Sequence, residues 1–244
     1  MNIRIGTAGW SLYRIADAFP AEGTGLQRYA TRFNAVEINT AFYRPHRRQT
    51  YERWAASTPP DFRFAVKVPK AITHERRLVD IEEPLARLID ECAGLGEKLG
   101  PLLVQLPPSL GFDPAIVAPF LETWRRRVDG ATVLEPRHAD WFTAEADAML
   151  AAFHVTRVAA DPAKVPRAAE PAGWDGLVYY RLHGSPVMYR SAYEEPFLAN
   201  LAERLSATSV EAWCVFDNTQ LGAAGTDALR LMRELSVSAL PPVP

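Results

Sequence analysis

Nearly every β-branched apolar run in this chain ends on an ionisable or amide side chain. The run endings are Glu37 and Asn39, Lys67, Gln105, Glu135 and Arg137, Arg181 and His183, and Asp217 and Asn218. Polar groups that gather where strands pass into loops, in a chain whose strands alternate with helical stretches, describe a parallel barrel whose C-terminal mouth collects them. The expected fold class is therefore α/β, a TIM-type (β/α)8 barrel.

Eight runs carry a strand pattern: 2–6, 35–39, 62–67, 102–105, 132–135, 155–159, 177–183 and 211–216. Between them the apolar spacing predicts helices over 25–33, 48–57, 84–99, 114–128, 144–153, 193–205 and 226–235. Pro84 and Pro114 stand at first-turn positions, and Asp113 is placed to cap the helix it precedes. Residues 161–174 are rich in Ala and Pro with weak periodicity, so the sixth connection is expected to be irregular, a surface loop with a lid as the alternative. The tail SALPPVP is expected to fray.

A length of 244 residues suits one barrel, since this fold takes about 250, and the chain is read as a single domain over 1–244. A net charge of −2 gives no global attraction to nucleic acid or to anionic membranes. No run reaches the roughly 18 apolar residues of a membrane span, and MNIRIGTAGW reads as a strand rather than a leader, so a cytoplasmic location is expected. Cys92 and Cys214 are read as buried apolar thiols, and His154 as structural.

Side chains alternate across a strand, so positions two apart share a face. In AVEIN the apolar Val36 and Ile38 pack on outer helices, which sends Glu37 and Asn39 into the barrel. The same phase turns Arg63, Ala65 and Lys67 inward, with Val133, Glu135 and Arg137, with Tyr179, Arg181 and His183, and with Asp217. Buried charges of this density must pair with one another or with a ligand.

No HExxH, no helical His pair and no Cys cluster is present, and Lys67, Arg137 and Arg181 oppose a cation, so neither metal nor cofactor is expected. GTAGWS lacks phosphate-loop spacing, and Ser11 has no nucleophile elbow.

The segments GTAGWS, FNAVEINTAFYR, FAVKVPKAITH, GPLLVQLPPSL, LEPRHADW, YYRLHG and VFDN, in this order, resemble the YecE-like family, a bacterial "domain of unknown function 72" group. The resemblance spans nearly the whole chain. It implies a TIM-type barrel with a polar cleft at its C-terminal face, and recurrent polar positions at Glu37, Asn39, Tyr43, Lys67, His74, Gln105, Glu135, Arg137, His138, Arg181, His183 and Asn218. Ala8, Pro136 and Asp217 depart from the family's frequent Ser, Phe and Asn, and Asp217 is left out of the candidate set.

The leading functional expectation is an enzyme acting on a small phosphorylated or carboxylated compound. Lys67, Arg137 and Arg181 would hold the anion, Glu37 or Glu135 with His183 would move protons, and Trp10, Tyr43 and Trp141 would cover a ring face. Asn39, His74, Gln105, His138 and Asn218 complete the candidate binding set. The alternatives are a nucleic-acid-binding barrel using Arg44 to Arg48 and His74 to Arg77, and a ligand-binding module without turnover. The residues leave oligomeric state open.

Overall fold

The computed structural model describes residues 3–238, so the expected fraying of the tail from residue 239 onward lies outside the described residues. Strands β1 (Ile3–Thr7), β2 (Ala35–Ile38), β3 (Arg63–Lys67), β4 (Leu99–Gln105) and β5 (Thr132–Glu135) are followed by β6 (Val155–Arg157), β7 (Ala159–Asp161), β8 (Ala172–Gly173), β9 (Leu177–Leu182) and β10 (Glu211–Phe216). They form two hydrogen-bonded series, β2-β3-β4-β5-β6-β8 and β1-β10-β9-β7.

The two series are parts of one ring. β6 and β7 are halves of a single strand position, separated only by Val158, whose amide donates to Leu134 O at 2.9 Å. The first half pairs in parallel with β5 and the second with β9. Counting them once, and leaving out β8, a two-residue strand that pairs antiparallel at the edge, gives the eight positions of a (β/α)8 barrel.

The other junction, between β1 and β2, is closed largely by side chains. Tyr29 Oη accepts from the Thr7 amide (2.8 Å) and donates to Ala35 O (3.0 Å), while Asn34 accepts from the Ile5 amide (2.9 Å) and donates to Ile3 O (2.8 Å). One backbone bond, Gly9 N to Glu37 O at 2.8 Å, completes the seam at the mouth. Gly6 is required here: a Cβ on it would stand 2.1 Å from Ala35 O.

Helices α1 (Gly25–Tyr29), α2 (Thr40–Tyr43), α3 (Arg48–Ala56), α4 (Glu82–Cys92), α5 (Pro114–Arg125), α6 (Ala144–Ala152), α7 (Glu195–Ser206) and α8 (Ala223–Ser238) cover the outside. Asp113 caps α5 as expected, its carboxylate accepting from the Ala115 amide at 2.9 Å. The helix expected over 84–99 instead ends at Cys92 and tightens into a 3-10 segment, Ala93–Lys98, where Gly96 takes φ 53° and turns the chain into β4. The helix expected over 25–33 ends at Tyr29, and its remainder is turn. Short α2 and a π-helical turn, Ala71–Glu75, follow β2 and β3 without a periodic signal long enough to read.

The sixth connection is irregular. A 3-10 turn, Pro166–Ala169, leads to β8, which pairs antiparallel with the start of β6. The connection therefore runs from the mouth back to the opposite end of the barrel instead of covering the mouth as a lid.

Inside the ring, Ala35, Ala65, Leu103, Val133, Val158, Leu177, Tyr179, Trp213 and Val215 form one apolar cluster. Small residues on β2 and β3 face the large Tyr179 and Trp213, whose rings stack 6.0 Å apart, so the lower barrel is filled. The polar ends of the strands sit above this plug. Both cysteines are buried and free.

Candidate functional site

The strand phase that puts Val133, Tyr179 and Val215 in the plug puts Glu135, Arg181 and Asp217 one layer higher. Arg181 occupies the centre of that layer. Its Nη2 lies 2.7 Å from Glu37 Oε1 and 3.0 Å from Asp217 Oδ2, its Nε 3.0 Å from Glu37 Oε2, and its Nη1 3.1 Å from Glu135 Oε2. Tyr179 Oη donates to Glu37 Oε2 at 3.0 Å. Three carboxylates thus converge on one guanidinium, which stands where a bound cation would otherwise have to be. Burial opposes its charge, but Asp217, Glu37 and Glu135 outweigh burial and hold its proton more tightly than usual.

His183 lies across this layer, Nδ1 3.0 Å from Asp217 Oδ2 and Nε2 3.0 Å from Glu135 Oε1. Arg137 Nη2 is also 3.0 Å from Nε2. The Arg137 Nε stands 2.5 Å from Glu135 Oε1 without hydrogen-bond alignment, so that contact is Coulombic rather than directed. Gln105 Nε2 donates to the same Glu135 oxygen at 3.3 Å. The loop after β9 turns back over His183, with the Tyr189 ring edge-on to the imidazole at 5.6 Å and its backbone at φ 67°, a conformation that non-glycine residues adopt at a cost.

Burial and cations compete at the two lower carboxyls. Burial pushes Glu135 up, yet Arg137, His183 and Arg181 together hold it well below the usual carboxylate range. Asp217 is also lowered, burial being outweighed by Arg181, His183 and Lys67. Glu37 and Glu135 are sealed from solvent, whereas Asp217 keeps 8% exposure and, among the described residues, its Oδ1 accepts no hydrogen bond.

Lys67 differs from all its neighbours. It ends β3 with 8% exposure, and among the described residues no carboxylate lies within 4.0 Å of its Nζ and no hydrogen bond is made to it. The ammonium sits 4.2 Å from the centre of the Phe42 ring. Burial, then the Arg181 charge, pulls its pKa down to about 8 against the attraction of Glu37, Glu135 and Asp217. His74, edge-on to Phe42 at 4.9 Å, is lowered by burial and then by Lys67 and Arg137, so the two cations favour its neutral imidazole.

The candidate residues thus divide into three groups. Glu37, Lys67, Gln105, Glu135, Arg137, Arg181 and His183 meet at the strand ends, and His74 joins them at the rim. Asn39 and Tyr43 border the mouth: Asn39 Oδ1 is buried without a partner among the described residues, and Tyr43, 71% exposed, packs edge-on to Phe42. The remaining four lie apart. Trp141 is fully buried with its indole N–H on Leu110 O at 3.0 Å, so it supports the β4 and β5 loops and offers no ring face to a ligand. His138 caps the short turn Ala139–Trp141, Trp10 packs on Trp54, and Asn218 donates to Asp227 (2.8 Å) and Ser191 O (2.9 Å). Tyr179, which the strand phase turns inward, stands outside the candidate set because it lies a layer below the strand ends, and Phe42 is missed because it lies on a following turn.

Among the described residues no three His, Cys, Asp or Glu side chains are arranged to hold a metal ion, and no helix is long and apolar enough to cross a membrane. A cavity of about 910 Å³ opens beside α8, but its charged lining residues Asp17, Arg32 and Arg233 are all exposed, so volume does not mark the chemistry here.

The sequence profile of the family described as "Protein of unknown function DUF72" matches residues 4–244. The chain belongs to the DUF72 family. This DUF72 protein is 33% identical over 88 residues to UPF0759 protein YecE of Escherichia coli (strain K12), covering 36% of this chain and 32% of YecE. The match therefore spans about a third of that relative's length. A crystal structure of a DUF72 family protein from Enterococcus faecalis V583 superposes with a TM-score of 0.82 at 23% identity, covering 99% of this chain and 98% of that one. Another, from Thermotoga maritima MSB8, gives 0.81 at 26% identity and covers 97% and 100%. A crystal structure of D-psicose 3-epimerase gives 0.51 at 11% identity over 98% of this chain and 96% of that one, a likeness of fold alone.

Proposed function

We propose that this DUF72 protein is an enzyme that acts on a small phosphorylated or carboxylated compound by acid/base chemistry at the C-terminal mouth of the barrel. The observation that carries this reading is the ammonium of Lys67, which among the described residues has no carboxylate within 4.0 Å, while Arg181 and Arg137 together take up Glu37, Glu135 and Asp217. An anion entering there would supply the partner that Lys67 lacks, and the low-dielectric floor would strengthen the attraction. The chemistry draws on protein side chains, without a cofactor.

The proton-transfer roles expected of Glu37 and Glu135 pass to their neighbours in this reading. Both glutamates are sealed from solvent, and Glu135, held well below its usual range by Arg137, His183 and Arg181, is a weak proton acceptor. They position Arg181 and His183. Asp217 is lowered as well, so access and not basicity singles it out: it keeps exposure where the glutamates have none, and with His183 bonded to it, it is placed to exchange protons with a ligand.

A nucleic-acid role receives less support, because three of the five rim arginines are engaged within the protein. Arg76 pairs with Glu83, Arg77 donates to Ser109, and Arg48 lies by Glu52 and Asp90.

The test is calorimetric titration with inorganic phosphate, sulfate and small mono- and dicarboxylates at low salt. Saturable one-site binding that is lost in Arg137→Gln is the expected result. Absence of anion binding, or a stoichiometric divalent ion removable by EDTA, would overturn the reading.

A further inference from the structure

We propose that the ligand of this mouth carries an aldehyde or ketone group as well as its anionic group, and that Lys67 Nζ condenses with that carbonyl to form an imine. The inference rests on the anion-binding reading above and names the substrate class more narrowly.

The choice of residue types points to it first. Of 27 basic residues only four are lysines: Lys67, Lys70, Lys98 and Lys164. Lys70 pairs with Glu75 at 2.8 Å, Lys98 donates to Ala55 O and Thr58 O at 2.6 and 2.7 Å, and Lys164 is exposed on the sixth connection. Lys67 alone ends a strand at the mouth, and the other fixed cations there, Arg137 and Arg181, are guanidiniums. A guanidinium does not lose its proton in a protein, whereas a desolvated lysine does. A cation needed only to hold an anion could have been another arginine, with a better fork for the purpose.

The environment of Nζ agrees with a nucleophilic role. Among the described residues no carboxylate lies within 4.0 Å to lock it as an ammonium, and the Phe42 ring face at 4.2 Å favours the charge only weakly and takes up none of its hydrogen bonds. The charges that face it are Arg181 beneath, Glu37, Glu135 and Asp217 around it, and His74 with Arg137 at the rim. The carboxylates favour the proton, but burial and Arg181 outweigh them. Its pKa of about 8 makes the neutral fraction at pH 7.5 roughly two hundred times that of an ordinary lysine.

The step balances without a further reagent. The nitrogen lone pair of the neutral amine adds to the carbonyl carbon, and the carbonyl oxygen takes up a proton to give a carbinolamine. That hydroxyl leaves as water after a second protonation, as the C=N bond forms. Overall, ammonium plus carbonyl gives protonated imine plus water. Asp217 Oδ1 and solvent are within the same mouth to exchange the protons.

Reductive trapping of the whole chain tests this. The probes are pyridoxal 5′-phosphate, pyridoxal and pyruvate with cyanoborohydride at pH 7.5, read by peptide mass spectrometry. One adduct per chain on Lys67, at least tenfold over Lys70, Lys98 and Lys164, is expected. It should be absent in Lys67→Arg, present in Lys70→Arg, and competed by inorganic phosphate. Circular dichroism of each variant separates lost trapping from lost folding. If phosphate binds by calorimetry but the label spreads over surface amines, the imine inference is wrong and the anion reading stands. If pyridoxal labels Lys67 as well as its phosphate does and phosphate does not compete, the imine inference stands and the anion reading falls.

Discussion

Arg181 grips Glu37 with two sides of its guanidinium, Nη2 on Oε1 at 2.7 Å and Nε on Oε2 at 3.0 Å, and neither side chain has any exposure. Bidentate geometry holds both groups in one orientation, so the floor of the mouth is a fixed surface and not a set of mobile charges. Arg181→Met would leave Glu37, Glu135 and Asp217 without their common partner. A loss of about 3 to 5 kcal/mol in urea unfolding is expected, and Arg181→Lys should recover little of it because an ammonium lacks the fork. Wild-type stability in Arg181→Met would mean that the network contributes nothing net.

Acid should weaken the fold through this same layer. Glu135 and Asp217 both titrate below their unfolded values, so the stability they contribute is present above the unfolded carboxyl range near pH 4 and is lost as pH falls toward the lower folded values. Thermal unfolding from pH 6 down to pH 2 should show a steep decline below about pH 4, and Asp217→Asn should make that decline shallower. An unchanged slope in the variant would remove Asp217 from the account.

Lys67 has the opposite sign. Its pKa falls on folding, so the folded state binds the proton less tightly and wild-type stability should rise between about pH 8 and 10.5. Lys67→Met is expected to raise stability at pH 7 by about 1 to 3 kcal/mol, allowing for partial solvent screening, while abolishing phosphate binding. A destabilised Lys67→Met protein would show that the ammonium has a partner in solution.

The β1–β2 seam gives a test away from the mouth. Tyr29→Phe removes the hydroxyl that serves Thr7 N and Ala35 O, leaving two buried backbone groups without it, and should cost about 1 to 3 kcal/mol. Gly6→Ala should be worse, because its Cβ would collide with backbone instead of a movable side chain. Hydrogen exchange ought to quicken first at Ile5 and Thr7 in both variants.

Much of this arrangement is local and could be read along the chain. Alternation in AVEI, RFAVK and LVYYRL assigns a face to each residue, and that is enough to send Glu37, Lys67 and Arg181 inward together. Asp113 before Pro114 marks a helix start for the same reason, since a cap acts within one turn. The weak periodicity of residues 161–174 likewise announced the missing helix.

Tertiary structure alone decided who partners whom. Glu37 and Arg181 are 144 positions apart, and their contact depends on ring closure, which itself depends on Tyr29 and Asn34 reaching across a seam that no strand pattern encodes. Trp141 and Asn218 follow the same logic in the other direction: the first lies four positions after Arg137 and the second adjoins Asp217, yet the first is drawn under Leu110 and the second toward Asp227. Periodicity specifies the direction in which a side chain leaves its strand. Whether it arrives at a carboxylate, a carbonyl or open solvent depends on distances between segments, and Lys67 is left unpaired while Arg181 is surrounded because the floor carboxylates come within reach of one and not of the other.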